Sequence, residues 1–473
     1  MLSARSWIRA AGGPGVALRA PDVKRSEPEG DLARVSRRKR FRPVIPWKHR
    51  ESQTAPSITG TRSRVSLRAS PQGRPTAATR YWKDAGNRAI SRARTGILFA
   101  PTPLVSKHIE TGGVRDASHT ESKPLRIAQV APLYESVPPK AYGGTERVVH
   151  YLTEELVALG HDVTLFASAD SRTSARLVPG CERSLRLDPN CHDSLAHHLV
   201  MLDQIASQRE RFDVLHFHLD YLHFPLSHSV GWRQLTTLHG RLDLPDLPAL
   251  YAQFKDMPLV SISDAQRKPL PNANWLATVL HGLPEGLLQF SPKAQDYFAF
   301  LGRISPEKRV DRAIEIAIAL GVPLKIAAKI DRADQDYHNR DVAKLFDHPL
   351  VEFVGEIGER EKSEFLGNAR ALLFPIDWPE PFGLVMLEAM ACGTPVVAFR
   401  CGSVPEVLED AVTGFVVDDM PQAIAAARSV GDLSRSRVRE EFVRRFTARR
   451  MAEDYLDAYR RLIGVDQPLQ RSA

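Results

Sequence analysis

From Leu125 onward, short apolar runs alternate with stretches of helical periodicity, and the alternation restarts once. Leu125–Val130 and Asp162–Ala167 read as buried strands around a helix from Glu146 to Leu159. Within that helix Val148, Val149, Leu152, Leu156 and Leu159 recur at three- or four-residue spacing, with Thr145 as N-cap and Gly160 as stop. Further strands are expected at Val214–Phe217, Leu235–Leu238, Leu259–Ile262 and Ala277–Leu280. A second series opens with strand Tyr297–Leu301, helix Pro306–Leu320 and strand Leu324–Lys329. It continues with strands Val351–Val354, Ala371–Phe374, Val396–Phe399 and Gly414–Val417. Strands that alternate with helices form a parallel sheet covered on both faces. The pattern therefore predicts an α/β chain with two doubly wound, Rossmann-like domains, 123–288 and 289–433, joined near Gly282–Pro292. Ligand would sit between them, at the carboxyl ends of the strands. The last helices, within 434–473, are expected to pack back on the first domain.

Composition qualifies this picture at one end only. The chain has 473 residues with 64 Lys and Arg against 56 Asp and Glu. Residues 1–120 carry 24 of those basic groups and 8 of the acidic ones, leaving 40 basic and 48 acidic for 121–473. The high isoelectric point thus describes the first quarter, and no nucleic-acid partner is expected for the folded part. Residues 1–122 lack sustained apolar periodicity and are rich in Arg, Ser, Pro and Thr. They are expected to be a disordered basic arm or sequence upstream of the true start. The alternative is an organellar transit peptide, since the first twenty residues bear Arg and no acid. No apolar run reaches the roughly 18–20 residues a membrane span needs, so membrane contact is expected to be peripheral at most. Cys181, Cys191, Cys392 and Cys401 form no C-x-x-C pair, which suits a reducing, cytoplasmic compartment.

Chemistry concentrates in three segments. In Phe374–Gly393 a strand ends at Phe374, a Pro- and Gly-bearing turn follows, and a helix runs from Leu384 to Cys392. That helix is apolar on every face except at Glu388, and a buried carboxylate must find donors. Its N-terminus offers the N–H groups of Phe382, Gly383 and Leu384 to an anion, with Glu380 just before it. In Gly302–Arg309, Arg303 stands where a strand runs out, and Ser305-Pro306 would start a helix. Lys308 then falls in the first turn, where the helix dipole disfavours a cation unless an anion binds between it and Arg303. In Thr237–Gly240, His239 follows a buried strand and would point into the cleft. Gly143-Gly144, ahead of the first long helix, is a further phosphate-side candidate. It is not the G-x-G-x-x-G of a dinucleotide site.

Together these motifs resemble the retaining GT-B glycosyltransferases of family 4. EPFGLVMLEAMACGTPVVAF, with Glu380 and Glu388 eight residues apart, is similar to that family's E-x7-E signature, and GRISPEKR to its phosphate clamp. YGGTERVV resembles its glycine loop, TLHG its histidine segment, and CGSVPEV also fits. The resemblance implies transfer of a sugar from a nucleotide-diphosphate sugar to an acceptor hydroxyl, with retention of configuration and neither bound metal nor cofactor. It also implies residue roles. Arg303 and Lys308 neutralise the diphosphate; Phe382, Gly383 and Leu384 give backbone N–H contacts. Glu380 takes donor-sugar hydroxyls and Glu388 the ribose. Gly143 and Gly144 let the loop close, and His239 meets the donor sugar near the reacting carbon. No D-x-D motif appears where a metal–diphosphate site would need one, and Asp418-Asp419 reads as a helix cap. One departure concerns the nucleotide pocket: where many relatives have a Gly-rich turn, this chain has Ala327-Ala328-Lys329-Ile330-Asp331. The acceptor is set by loops such as 131–141 and 241–256 and is left open, as are the donor base and the oligomeric state. Two rivals stand beside this reading: a sugar-nucleotide epimerase on the same fold, and a non-catalytic binding protein that uses the basic arm.

Overall fold

The computed structural model describes residues 123–140, 143–186 and 188–464. The expected basic arm, 1–122, lies outside the described residues. The first lobe contains β1 (Arg126–Val130), α1 (Gly144–Ala158), β2 (Asp162–Ser168), β3 (Arg176–Cys181), α2 (Ser194–Gln208) and β4 (Val214–Phe217). It continues with α3 (Phe224–Val230), β5 (Gln234–Thr237), α4 (Leu247–Gln253), β6 (Leu259–Ser261), α5 (Asp264–Arg267) and β7 (Trp275–Thr278). These strands form one parallel sheet in the order β3-β2-β1-β4-β5-β6-β7.

The second lobe contains β8 (Phe298–Arg303), α6 (Val310–Leu320), β9 (Leu324–Lys329), α7 (Gln335–Tyr337), β10 (Val351–Gly355), α8 (Glu359–Gly367) and β11 (Leu372–Phe374). Then come α9 (Leu384–Ala391), β12 (Val396–Phe399), α10 (Val404–Val407), β13 (Gly414–Val417) and α11 (Met420–Ser429). Its parallel sheet has the order β10-β9-β8-β11-β12-β13. In both sheets the strand order reverses direction once, beside β1 and β4 and beside β8 and β11. The reversal leaves a crevice at the strands' carboxyl ends.

Strand alternation decides which core each residue joins. Along β1, Ala128 and Val130 pack with Leu133, Phe166, Met201 and Ile205 on one face. Ile127 faces the other way, with Leu152, Leu156, Met451, Tyr455 and Tyr459. The second face is covered partly by α13 (Ala448–Ile463), which follows α12 (Arg435–Arg445).

The two last helices divide their packing. The sequence expectation placed all of 434–473 on the first domain, but α12 is bound to the second lobe. Arg435 donates to the carbonyls of Gly367 and Ala369, and Arg439 to that of Ala391. Such charged side chains cap carbonyls that helix ends leave unpaired. Only α13 returns to the first lobe. Residues 465–473 lie outside the described residues.

Other departures have local causes. β3 was not expected, because it is an edge strand of mixed exposure carrying Pro179 and Gly180. β7, the opposite edge and half-buried throughout, lies two residues earlier than its apolar run suggested. The helix expected over Pro306–Leu320 is broken. A short 3-10 turn, Pro306–Lys308, ends at Arg309 in the left-handed region (φ 51°), and α6 starts only at Val310. Lys308 therefore precedes the α-helix rather than lying in its first turn, and the dipole conflict does not arise in that form. Thr145 does not cap α1, whose N-cap is Gly143. Asp419 does cap α11, accepting from the N–H of Gln422 at 2.9 Å.

The polypeptide crosses between lobes twice, and the crossings touch. Leu283 N–H donates to Phe446 O at 2.9 Å and Ala448 N–H to Leu283 O at 2.8 Å. A Cβ on Gly282 would lie 2.2 Å from the Thr447 carbonyl oxygen. Gly282→Ala should thus force two backbones apart and destabilise the chain by roughly 1–3 kcal/mol. A urea midpoint unchanged from that of the unmodified chain would contradict this packing.

Candidate active site

The turn after β11 is held by its carbonyls. Glu380 O accepts from Ser403 N–H at 3.0 Å, Pro381 O from Ser263 Oγ at 2.7 Å, and Phe382 O from Ser403 Oγ at 2.8 Å. Ser263 belongs to the first lobe, so one of these bonds crosses between lobes. Gly402 backs the turn closely: its φ is +56° and a Cβ there would meet Glu380 O at 2.3 Å. Gly383, at φ +85°, turns the chain into α9. With three successive carbonyls engaged, the amides at the start of α9 remain for a ligand. Among the described residues the N–H groups of Phe382, Gly383 and Leu384 donate to no protein acceptor.

Charged side chains surround this turn in pairs. Glu380, 9% exposed, accepts from Lys308 Nζ and, at 2.9 Å, from Trp378 Nε1. The Lys308 ammonium also lies 5.1 Å from the Trp378 ring and 5.5 Å from the Phe374 ring. Glu388, 5% exposed, accepts from Lys362 Nζ at 2.6 Å. Lys362 is 3.7 Å from Glu359, which pairs across the cleft with Arg147 of α1. The buried Glu388 thus finds its donor on α8, a partner the apolar helix pattern required without naming. Arg303, at the end of β8, pairs with Glu307 and lies 3.6 Å from Asp334 and 3.8 Å from Asp331. Lys329 also pairs with Asp331, at 3.0 Å.

The first lobe meets this surface with α1 and β5. A Cβ on Gly144 would lie 3.9 Å from Leu384 Cδ1, so this glycine lies against the N-terminus of α9, whereas a Cβ on Gly143 would meet Pro139 at 2.7 Å. His239, 7% exposed, stacks on His281 with centroids 5.3 Å apart, and His281 meets Phe382 edge-on at 4.8 Å. Glu406 of α10 accepts from the N–H groups of Asp264 and Ala265 at 2.7 and 2.6 Å, capping the first turn of α5. The structure therefore brings Gly144, His239 and Phe382–Leu384 to one junction. Lys308 and Glu380 flank that turn, whereas Arg303 is engaged by carboxylates of its own lobe.

Three residues at the junction carried no sequence signal, Ser263, His281 and Lys362, while Arg147 and Ser403 lay within YGGTERVV and CGSVPEV without being singled out. Their pairings join positions far apart in the chain, which local periodicity cannot report. His216 and His218 had a weak signal, two polar residues on one face of a buried strand. Among the described residues no group of three or more His, Cys, Asp or Glu is placed to hold a metal ion. None of the described helices is long and apolar enough to cross a membrane.

Two parallel-sheet lobes facing each other across strand ends, with paired charges and free amides at the crossing, define the GT-B class. The model of Glycosyltransferase Family 4 matches residues 142–281, and that of Glycosyl transferases group 1 matches residues 289–449. A glycogen synthase of Mycobacterium tuberculosis is 26% identical over 412 residues, 73% of this chain and 97% of its own length. A phosphatidyl-myo-inositol mannosyltransferase of Mycolicibacterium smegmatis is 25% identical over 369 residues, 69% of this chain and 89% of its own. Among solved structures, a sucrose-phosphate synthase from Thermosynechococcus elongatus superposes with a TM-score of 0.60 at 18% identity. It covers 72% of this chain and all of that one, a likeness of fold. The chain belongs to glycosyltransferase family 4 and is a glycosyltransferase. These matches favour neither the epimerase nor the non-catalytic reading.

Burial pushes the His239 imidazole down to about 3 and His223 likewise, and holds His216, His218 and His281 well below the usual 6.5. These rings are neutral when folded, while the unfolded chain protonates them below pH about 6.5. Their contribution is therefore fully present above that pH and is lost as pH falls below it, for His239 and His223 toward about 3. Each ring adds a slope of up to about 1.4 kcal/mol per pH unit within that window. Urea midpoints measured from pH 7 to 4.5 should fall steeply; a flat profile would show that the rings are already charged.

Proposed function

We propose that this glycosyltransferase takes its sugar from a nucleotide-diphosphate donor, retains the anomeric configuration and needs no bound metal. The observation that carries the reading is the junction itself. Unpaired amides at the start of α9 stand beside a cation, Lys308, whose present partner is a carboxylate. A diphosphate at the amides would draw Lys308 to itself and release Glu380 to accept sugar hydroxyls. Arg303 would contribute in the same way by exchanging carboxylates for phosphate. Glu388, opposite Lys362, would take the ribose hydroxyl pair. Related folds have been solved with such ligands: an Anabaena HepE structure holds UDP-glucose, at 15% identity and a TM-score of 0.54.

The charge movement follows from the donor's chemistry. As the bond between the anomeric carbon and the phosphate oxygen breaks, negative charge grows on the diphosphate. Lys308, Arg303 and the α9 amides would face that charge in a half-buried site. The acceptor hydroxyl would approach from the face the diphosphate leaves, and its proton would pass to a phosphate oxygen. His239 and Glu380 would hold the sugar meanwhile. The acceptor is met by loops of the first lobe, 131–141 and 241–256, which differ freely on such scaffolds.

Screening radiolabelled sugar nucleotides, scored first by hydrolysis, should identify one preferred donor. With that donor, Lys308→Ala should lower kcat/KM by about 10²–10³-fold. Chelation by EDTA should leave the rate unchanged, and the product's anomeric proton coupling should match the donor's. Full turnover by the Lys308 variant would reject the site; inversion would reject the front-face pathway.

A further inference from the structure

His239 is not isolated in its lobe. Its Nε2 lies 2.9 Å from Nδ1 of His218, which follows β4 and is 3% exposed. Nε2 of His218 lies 2.9 Å from Oε1 of Gln129 on β1. The Gln129 amide donates to the Tyr459 hydroxyl at 2.9 Å, and that hydroxyl lies 2.8 Å from Nδ1 of His216. Nε2 of His216 reaches Thr237 Oγ1 at 2.7 Å, and Thr237 reaches the Tyr455 hydroxyl at 2.9 Å. The row is buried throughout, and its two tyrosine hydroxyls come from α13.

With the Gln129 carboxamide oriented as it stands, one order of protons suits this row; the opposite orientation would reverse every donor and acceptor along it. Gln129 spends its amide on Tyr459, so the oxygen facing His218 can only accept, and the proton of His218 must be on Nε2. Nδ1 of His218 is then a bare lone pair. The nitrogen of His239 opposite it must donate, which puts the His239 proton on Nε2. In the other direction Tyr459, having accepted from Gln129, donates to Nδ1 of His216, and His216 donates through Nε2 to Thr237. An extra proton anywhere would break a bond and strand a charge away from water. The depressed proton affinities of His216, His218 and His239 agree with neutral rings throughout.

We propose that His218 is a positioning residue for His239, fixing it as the Nε2–H tautomer and turning its Nδ1 lone pair to the ligand. Among the described residues nothing bonds to Nδ1 of His239. In that state His239 is a neutral acceptor of a hydroxyl hydrogen bond and has no proton to give at the nitrogen left for ligand. The proposal rests on the reading of this cleft as the sugar-transfer site, and it assigns a role to α13, whose Tyr459 sets the orientation of Gln129.

Long-range 15N–1H spectra of the full chain labelled at histidine read the tautomer directly. The His239 signals are assigned by their loss in His239→Asn. At pH 7 they should show the Nε2–H pattern; an Nδ1–H or imidazolium pattern overturns the proposal. Turnover gives an independent readout. His218→Leu should lower kcat by about 10–100-fold, the size of a misplaced contact at a reacting centre, while donor KM changes little. His218→Asn, whose side-chain oxygen sits close to the place of Nδ1 and can accept, should stay within about fivefold of the unmodified chain. Equal rates for the Leu and Asn variants overturn the proposal. An unmodified chain that turns over no sugar nucleotide rejects the transferase site instead, and the spectrum still decides the tautomer.

Discussion

A peptide group that turns its carbonyl one way turns its neighbours' amides another, and the cleft depends on that constraint. At the turn from β11 into α9, three consecutive carbonyls are bound within the protein, two by Ser403 and one by Ser263. Gly402 lets a neighbouring loop lie against the turn, and Gly383 supplies the left-handed residue that starts α9. Among the described residues the amides of Phe382, Gly383 and Leu384 are left without a protein acceptor. An anion held by such amides would need no flexible side chain and would lose little entropy on arrival. Because Ser263 comes from the facing lobe, the site is complete only when the lobes are together.

Side-chain charges at the junction are compensated in a way that leaves them exchangeable. Lys308 answers Glu380, Lys362 answers Glu388, and Arg147 answers Glu359 from the opposite lobe. An unpaired charge in this half-buried setting would be costly, while a pair costs less and can be traded for a ligand of suitable sign. A ligand with an anionic centre and hydroxyl-bearing ends matches that arrangement: anion for the cations, hydroxyls for the carboxylates. The Arg147–Glu359–Lys362–Glu388 row further ties the first helix after the glycine pair to the carboxylate within α9.

The sequence showed the parallel core clearly because buried strands are continuous apolar runs between helices. Val214–Phe217, Leu324–Lys329, Val396–Phe399 and Gly414–Val417 lie where their composition placed them. It failed at the edges, where β3 and β7 have one exposed side and no strong pattern. It failed also at Arg309, where pairing with Asp311 and Asp377 accompanies a left-handed residue that helix propensity opposes. Of the cleft, the residues with a local motif were visible, namely Glu380, Glu388, Lys308 and His239. Their partners Lys362, Ser263 and His218 were not, since a hydrogen bond between distant segments leaves no trace in spacing.

The C-terminal helix shows why such partners matter. Its Tyr455 and Tyr459 lie one turn apart, a spacing that by itself suits an apolar face. Their hydroxyls instead enter the first lobe's polar interior, while Arg450, from the same helix, donates to the carbonyls of Leu280 and His281 at 2.8 and 2.9 Å. One helix thus fixes the backbone of the residue stacked on His239 and, through Gln129 and His218, the side chain of His239. Because α12 is anchored to the second lobe and α13 to the first, this helix pair is also the second crossing between lobes. Any shift of one lobe against the other would have to strain that crossing or move α13. The position of the lobes and the orientation of the cleft histidine are therefore carried by the same element.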